Sequence, residues 1–284
     1  MLVSLHGGHS GSYCDHAHGT LSDLVAQAVE RGFSHYGLTE HMPRSGFLYE
    51  EEQQAGRTSE KLHEMFSSYV TEARFLQANQ QSRIHLLVGM EIEVIDSNWD
   101  EIRRLRTQYH LDFLVGSIHF VSGIPIDYRE SDISLLEQSL GGTSEVFKAY
   151  YETQYQMFRE IHPEIIGHFD LIRLFRPDFE MPESVWKLIR RNIHYAIAYG
   201  ALFDVNARAF KKGFGEPYPE QRILQIILEH GGRLTAGDDS HAPQEVGLGF
   251  DTLFLFLKKM GIHSLHGLEK SHNGILTEFK WELP

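Results

Sequence analysis

The sequence predicts an α/β barrel of about seven strand and helix units, in a single domain spanning residues 1–284. Two observations carry that prediction. A short apolar or β-branched run, a polar residue at its end and an amphipathic helix recur about seven times, and alternating strands and helices demand a parallel sheet with right-handed crossovers. The strand ends also carry ligand-type side chains from residue 6 to residue 241, and a closed barrel brings such ends to one face. No internal repeat, low-complexity tract or Pro/Gly/Ser-rich linker divides the chain.

Taken in order, Leu2-Val3-Ser4-Leu5 reads as the first strand. Thr20 can cap a helix from Leu21 to Arg31 that carries Leu24, Val25, Ala28 and Val29 on one face, and Gly32 can end it. The second strand, Phe33 to Leu38, leads into Thr39-Glu40-His41-Met42-Pro43-Arg44, a polar loop to about Gly56 and a helix from Thr58 to about Gln80. Ile84 to Val88 forms the third strand and runs into Gly89-Met90-Glu91-Ile92-Glu93. Asn98 with Glu101 reads as a capping box for a helix to Tyr109. The fourth strand, Leu111 to Ile118, ends in His119, and a loop with Gly123 and Pro125 leads to a helix from Thr143 to Ile161. The fifth, Glu164 to Gly167, ends in His168-Phe169-Asp170. After Pro182 a helix runs to Tyr199, and the sixth strand runs from Ala201 to Val205 and ends in Asn206. The loop Lys211 to Pro219 precedes a helix to His230, and Arg233 to Ala236 is the seventh strand, ahead of Asp238-Asp239-Ser240-His241. From about Phe250 the chain reads as a last helix and a tail.

Composition narrows the functional classes. With 42% hydrophobic and 23% charged residues the chain can bury a globular core. No run of eighteen apolar residues and no basic-then-apolar leader is present, so the expectation is a soluble protein without a membrane partner. A single cysteine, Cys14, excludes an intrachain disulfide and fits a reducing cytoplasm. The net charge of −13 argues against a general nucleic-acid binder. Histidine is abundant at 18 residues, and His6, His9 and His16 fall within eleven positions directly after the first strand. Crowded imidazoles cannot all be protonated without mutual repulsion, so a cation among them is one reading and a surface histidine tract is the other. Any one strand-end residue could equally be a cap or a polar core residue. Seven strand ends bearing such groups are harder to attribute to chance.

The motifs resemble the histidinol-phosphate phosphatase branch of the polymerase and histidinol phosphatase (PHP) superfamily. The resemblance rests on the His-rich opening with Tyr13-Cys14-Asp15-His16, on Leu38-Thr39-Glu40-His41-Met42-Pro43-Arg44 and on Gly89-Met90-Glu91. It continues through Gly116-Ser117-Ile118-His119, Gly167-His168-Phe169-Asp170, Val205-Asn206, Lys211-Lys212, Pro217-Tyr218-Pro219 and Asp239-Ser240-His241. It implies a distorted (β/α)7 TIM-like barrel holding two or three divalent metal ions, commonly Zn, Mn or Fe. His9, Glu91 and Asp239 would serve one ion, Glu91 would bridge to a second held by His119 and His168, and His16, His41 and His241 would hold a third. Glu91, Asp239 and His241 are thereby the implied catalytic residues. Asp238 would orient a ligand, and Glu93 is read as structural.

The family usually opens with His-x-His, whereas here the spacing is His6-Gly7-Gly8-His9. On a regular strand that spacing sends the rings to opposite faces, but a bulge at the glycine pair, using their access to positive φ, could return His6 to the metal side. Otherwise Gly7 occupies the position of a lost ligand.

The chemistry expected of such a cluster is phosphomonoester hydrolysis by a metal-activated hydroxide, because a bound ion lowers the pKa of water to about 7 and neutralises phosphate charge. The resemblance implies L-histidinol phosphate, a small-molecule ester, as substrate, and histidine biosynthesis as the pathway. Arg44, Arg173, Asn206 and Lys211 are candidates for substrate contacts, with a solvated surface charge as the other reading of Arg173. Asp15, Glu40 and Tyr13 are available for the substrate's cationic end. Another phosphate ester, or an inactive metal-binding barrel with an interaction role, are the alternative functions. Oligomeric state is not legible in the sequence.

Overall fold

Seven strands, all parallel to their neighbours, close into a barrel in the order of the chain. They are β1 (Leu2–Gly8), β2 (Phe33–Leu38), β3 (His85–Glu91), β4 (Phe113–Gly116), β5 (Ile165–Ile166), β6 (Leu202–Asn206) and β7 (Arg233–Ser240). The long helices between and after them are α1 (Leu21–Glu30), α2 (Ser59–Gln80), α3 (Trp99–Gln108), α4 (Thr143–Ile161), α5 (Glu183–Tyr199), α6 (Gln221–Glu229) and α7 (Phe250–Lys259). The structure, a computed structural model, describes residues 1–271 and 273–284. The seven-unit α/β barrel is the architecture predicted from the strand and helix alternation.

Local chemistry explains the helices that matter for the site. Thr20 caps α1 by accepting from the Asp23 backbone N–H at 3.1 Å, and Asp23 reciprocates towards the Thr20 N–H, so two orphan donors are satisfied. The helix then buries Leu21, Leu24, Val25 and Ala28 against the barrel. Truncating a fully buried side chain such as Leu24 or Phe113 to alanine costs about 2–5 kcal/mol.

Several elements differ from the sequence expectation. Strands β1, β3 and β7 extend to Gly8, Glu91 and Ser240, further than their apolar runs, because His6, Glu91 and Asp239 are polar yet buried. Asn98 does begin α3, but its side chain accepts from Ile95 N at 3.2 Å and donates to the Glu93 carbonyl at 3.0 Å, so it makes no capping box. The loop after β4 contains a small hairpin, Phe120–Val121 with Ile124–Pro125, and an unanticipated helix, Glu130–Leu140.

The tail is an antiparallel hairpin of Ser264–Lys270 with Leu276–Glu282. It packs over the N-terminal ends of the strands, where Arg233 pairs with Glu278 and Lys270 Nζ lies 2.6 Å from Asp112. Trp281 buries its ring against Phe254. His272, within the predicted tail, lies outside the described residues.

Candidate metal centre

The C-terminal ends of the strands converge on one carboxylate. Glu91, the last residue of β3, has Oε1 3.0 Å from His168 Nε2 and 3.3 Å from both His119 Nε2 and His6 Nε2. Its Oε2 lies 3.3 Å from His9 Nε2 and from His41 Nδ1. Asp239, on β7, places Oδ1 3.5 Å from His9 Nε2 and 3.6 Å from His241 Nδ1. Asp239 holds a left-handed φ of 46°, a cost that the surrounding β7 backbone and the site impose on a non-glycine residue.

The backbone of β1 explains how both of its histidines reach this point. Against β2 the register runs from Ser4↔Tyr36 to Gly8↔Leu38, and against β7 from His6↔Gly237 to Gly8↔Ser240, so β1 is irregular through His6-Gly7-Gly8. His6 and His9 thus both face Glu91, as a bulge requires. The physical reason for the glycines differs from the expected one. Neither has a positive φ. A Cβ on Gly7 would lie 1.9 Å from the Gly37 carbonyl oxygen, and one on Gly8 would lie 2.4 Å from Leu24 Cδ1 and 2.6 Å from Ser240 Oγ. Close approach, rather than left-handed backbone, excludes side chains there.

The donor set fits divalent ions. His6, His168 and Asp239 form one group with ligand atoms close enough to share an ion, His6, His9 and Glu91 a second, and Glu91, His119 and His168 a third. His9, His41 and His241 form a fourth, and Cys14, His16 and His41 a fifth. The rings of His16, His41 and His241 lie 5.0–6.0 Å apart between centroids. Nε2 of His6, Nε2 of His9 and Nδ1 of His41 are buried without a hydrogen-bond partner among the described residues, although a Glu91 oxygen stands 3.3 Å from each. Ligand atoms about 3.4 Å apart match the edge of a tetrahedron with bonds of about 2.1 Å, as zinc makes to nitrogen and oxygen. Buried donors or lone pairs left unmatched beside carboxylates are costly, and a shared cation removes that cost.

Electrostatics divide the imidazoles into two kinds. Burial lowers the His6 imidazolium, but the carboxylates of Glu91 and Asp239 outweigh it and hold the group up at about 10. His9 and His119 are likewise raised against burial, by Asp239 and Glu40 for the first and by Glu93 and Glu91 for the second. Burial and the neighbouring His41 and His9 push His16 down to about 2, and His241 is lowered by burial and His9. Glu91 is held well below its ordinary value despite burial, because His6 and His119 face it.

Three carboxylates that orient these rings carry no obvious sequence signal. Asp204 Oδ2 lies 2.9 Å from His6 Nδ1, which directs Nε2 at Glu91. Glu40 Oε1 is 3.3 Å from His9 Nδ1. Glu93, read as structural, touches His41 Nδ1 at 3.0 Å and His119 Nδ1 at 3.3 Å. Asp238 does not orient a ligand. It accepts from Ser4 Oγ, Tyr36 Oη and Gly247 N and so ties β7 to β1 and β2.

A cavity of about 350 Å³ opens above the cluster, within the range of small-molecule sites. Its walls include Glu91, His119, His168, Asp239 and His241, and also Tyr49, Asp127, Tyr128, Arg208 and Lys212. None of the four expected substrate contacts stands on these walls. Arg44 is buried, paired with Glu52 and 3.5 Å from Glu93. Arg173 is neither a substrate contact nor a solvated charge, because it is buried among Asp170, Glu216 and Glu220. Lys211 pairs with Glu245. Asn206 is buried, donates to Asp204 and Asp239 and accepts from Arg208 N at 2.9 Å, so it positions its neighbours. Tyr13, Asp15 and Glu40 are engaged by Glu72, Arg57 and His9 respectively.

A parallel α/β barrel with buried histidines and carboxylates at its C-terminal face defines a class, the metal-dependent hydrolytic barrels. Residues 6–208 match the PHP domain, and the chain belongs to that family. It is 42% identical over 289 residues, covering 99% of this chain and 94% of the relative, to a Schizosaccharomyces pombe protein named "Probable histidinol-phosphatase". To the histidinol-phosphatase of Saccharomyces cerevisiae it is 31% identical over 286 residues, covering 87% of this chain and 85% of the relative. Among solved structures, the histidinol phosphate phosphatase of Lactococcus lactis, crystallised with zinc, L-histidinol and phosphate, shares the fold. Its TM-score is 0.70 at 19% identity, over 94% of this chain and 96% of that one.

Proposed function

We propose that this chain is a metal-dependent phosphomonoesterase that hydrolyses L-histidinol phosphate to L-histidinol and phosphate, a step of histidine biosynthesis. The observation that carries the reading is the convergence of five imidazoles on Glu91 at the floor of a small-molecule cavity, in a chain 42% identical to a relative named for this activity. His6, His9, His16, His41, Glu91, His119, His168, Asp239 and His241 are the proposed ligands of two or three divalent ions (Zn, Mn or Fe). When bound, such ions supply a strongly acidified water and neutralise charge on the phosphate.

The remaining steps belong to side chains of this chain. Arg208 donates to the Asp239 carbonyl at 2.6 Å and lies 3.3 Å from Glu245, but unlike Lys211 it stands on the cavity wall, where with Lys212 it would hold a phosphate dianion. Asp204, Glu40 and Glu93 keep the proposed ligand rings in fixed orientation, so the cluster need not reorganise as the reaction proceeds. In the balanced reaction the water gives up a proton as its oxygen bonds to phosphorus, the ester P–O bond breaks and the departing alkoxide takes up that proton. A cavity rather than an extended basic groove, with a net charge of −13, supports a small ester over a nucleic acid as the partner. No helix among the described residues is long and apolar enough to cross a membrane, and the reading assigns the reaction to the cytoplasm as part of one domain over residues 1–284.

Phosphate release from a panel of phosphomonoesters, with and without Mn²⁺ or Zn²⁺, tests the reading. Metal-dependent release with histidinol phosphate as the best substrate supports it. Preference for another ester, or no release with any metal, overturns it.

A further inference from the structure

The cavity is not uniform in charge. Arg208 and Lys212, from the segment after β6, and the histidine cluster supply a cationic region. The loops after β2 and β4 supply the opposite, with Asp127, Glu51 and the rings of Tyr49 and Tyr128. Five carboxylates line the cavity. Glu91, Glu93 and Asp239 are committed to imidazoles, and Glu51 accepts from the Tyr128 hydroxyl at 3.0 Å. Asp127 alone has neither a hydrogen bond nor an ion pair with any described residue, although it stands in a cavity wall rather than on an open surface. Its position is fixed, because the adjacent Ile126 N–H donates to the His119 carbonyl at 2.9 Å and anchors the loop beside the cluster. The two tyrosine rings lie 5.1 Å apart between centroids, and Arg44 lies over one of them and Arg129 over the other, so both rings already take cations on a face.

We propose that Asp127 is the specificity-determining residue of this site, receiving the ammonium group of a phosphorylated amino alcohol whose phosphate lies toward Arg208 and the histidines. The proposal rests on the phosphomonoesterase reading and adds to it the feature that separates a zwitterionic substrate from other phosphate esters. Burial and Glu93 raise the Asp127 carboxyl above its ordinary value while His119, His168 and Lys212 draw it down without touching it, so an incoming ammonium would be its first direct partner. Tyr49 and Tyr128 frame the same end and suit the flat ring of the substrate.

The test compares the metal-loaded wild type with Asp127→Asn and Asp127→Glu. Substrates are L-histidinol phosphate and 3-(imidazol-4-yl)propyl phosphate, which lacks only the amine, and the inhibitors are L-histidinol and inorganic phosphate. A charge-assisted hydrogen bond lost from a desolvated site predicts that Asp127→Asn lowers kcat/KM for histidinol phosphate about 10- to 100-fold, chiefly through KM. The amine-free ester should change by less than about twofold, inhibition by L-histidinol should weaken and inhibition by phosphate should not, while Asp127→Glu keeps part of the preference. Equal losses on both esters, or losses confined to kcat, would overturn the assignment in favour of proton transfer or a structural role. Unchanged kinetics would overturn it outright. A wild type that hydrolyses other esters but not histidinol phosphate refutes the underlying reading instead, and is seen before any variant is made.

Discussion

Asp204 Oδ2 lies 2.9 Å from His6 Nδ1, and that contact turns the opposite nitrogen of the ring toward Glu91 at 3.3 Å. Both partners are fully buried, so the orientation is not exchanged with solvent. A carboxylate behind a ligand imidazole fixes the tautomer and raises its basicity. Asp204→Ala is therefore expected to weaken metal binding by about 10- to 100-fold while the barrel persists. Titration against a chelating dye measures this, and wild-type affinity in the variant would remove Asp204 from the account.

The glycine pair of β1 separates a packing role from a ligand role. Gly8→Val drives Cβ and its methyls into Leu24 and Ser240, and overpacking of this kind costs about 1–3 kcal/mol. It is expected to lower the urea midpoint and to impair metal binding about as much as His6→Ala. His6→Ala should lower metal occupancy and also the midpoint, because it leaves the buried carboxylates of Asp204 and Glu91 without their imidazole. Full stoichiometry at wild-type affinity in His6→Ala would mean that the irregular strand does not serve a ligand.

Glu91 and Glu93 lie two residues apart and do different work. Glu91 faces five imidazoles, so Glu91→Ala is expected to reduce turnover at least about 10³-fold, and Asp239→Ala similarly. Glu93 contacts the far nitrogen of His119 and shares His41 Nδ1 with Glu91, so Glu93→Ala should cost about 10- to 100-fold, recoverable in part by excess metal. Equal losses in steady-state kinetics, insensitive to added metal, would show that the two acids have been assigned wrongly.

What the sequence revealed, and what it concealed, follows the range of the interactions involved. His41, Glu91, His119, His168, Asp239 and His241 were legible because each interrupts an apolar run at a strand end, where a barrel gathers such groups. Asp204 was hidden inside the run Leu202–Val205, since its partner is 198 residues away. Arg44, Arg173 and Lys211 looked available because the glutamates that neutralise them are not visible from spacing. Asn98 fits a capping box by pattern, yet its side chain finds nearer backbone groups at Ile95 and Glu93. The C-terminal hairpin does carry a turn signal, Asn273-Gly274, between its strands, but its burial depends on the far end of the barrel, which spacing does not reveal.

That far end supplies a pH effect independent of the metals. His35 is pushed down to about 4 by burial and by the stacked His85 ring 4.7 Å away, with Glu269 only partly offsetting them. An unfolded histidine titrates near 6.5, so between about 6.5 and 4 the unfolded chain holds a proton that the folded one refuses. Stability is complete above that window and falls as pH drops through it, by on the order of 1 kcal/mol at pH 5 once solvent screening is allowed for. His35→Gln should flatten this decline between pH 7.5 and 5 in urea titrations, and parallel slopes in the two proteins would contradict the assignment.

Elemental analysis of protein purified after metal-replete expression tests the central claim most directly. Glu91 can bridge two ions and the remaining donors form further groups, so the wild type is expected to carry at least two equivalents of Zn, Mn or Fe per chain, and Glu91→Ala fewer. Wild-type protein that is folded but holds no transition metal, or a Glu91→Ala variant with undiminished content, would contradict it.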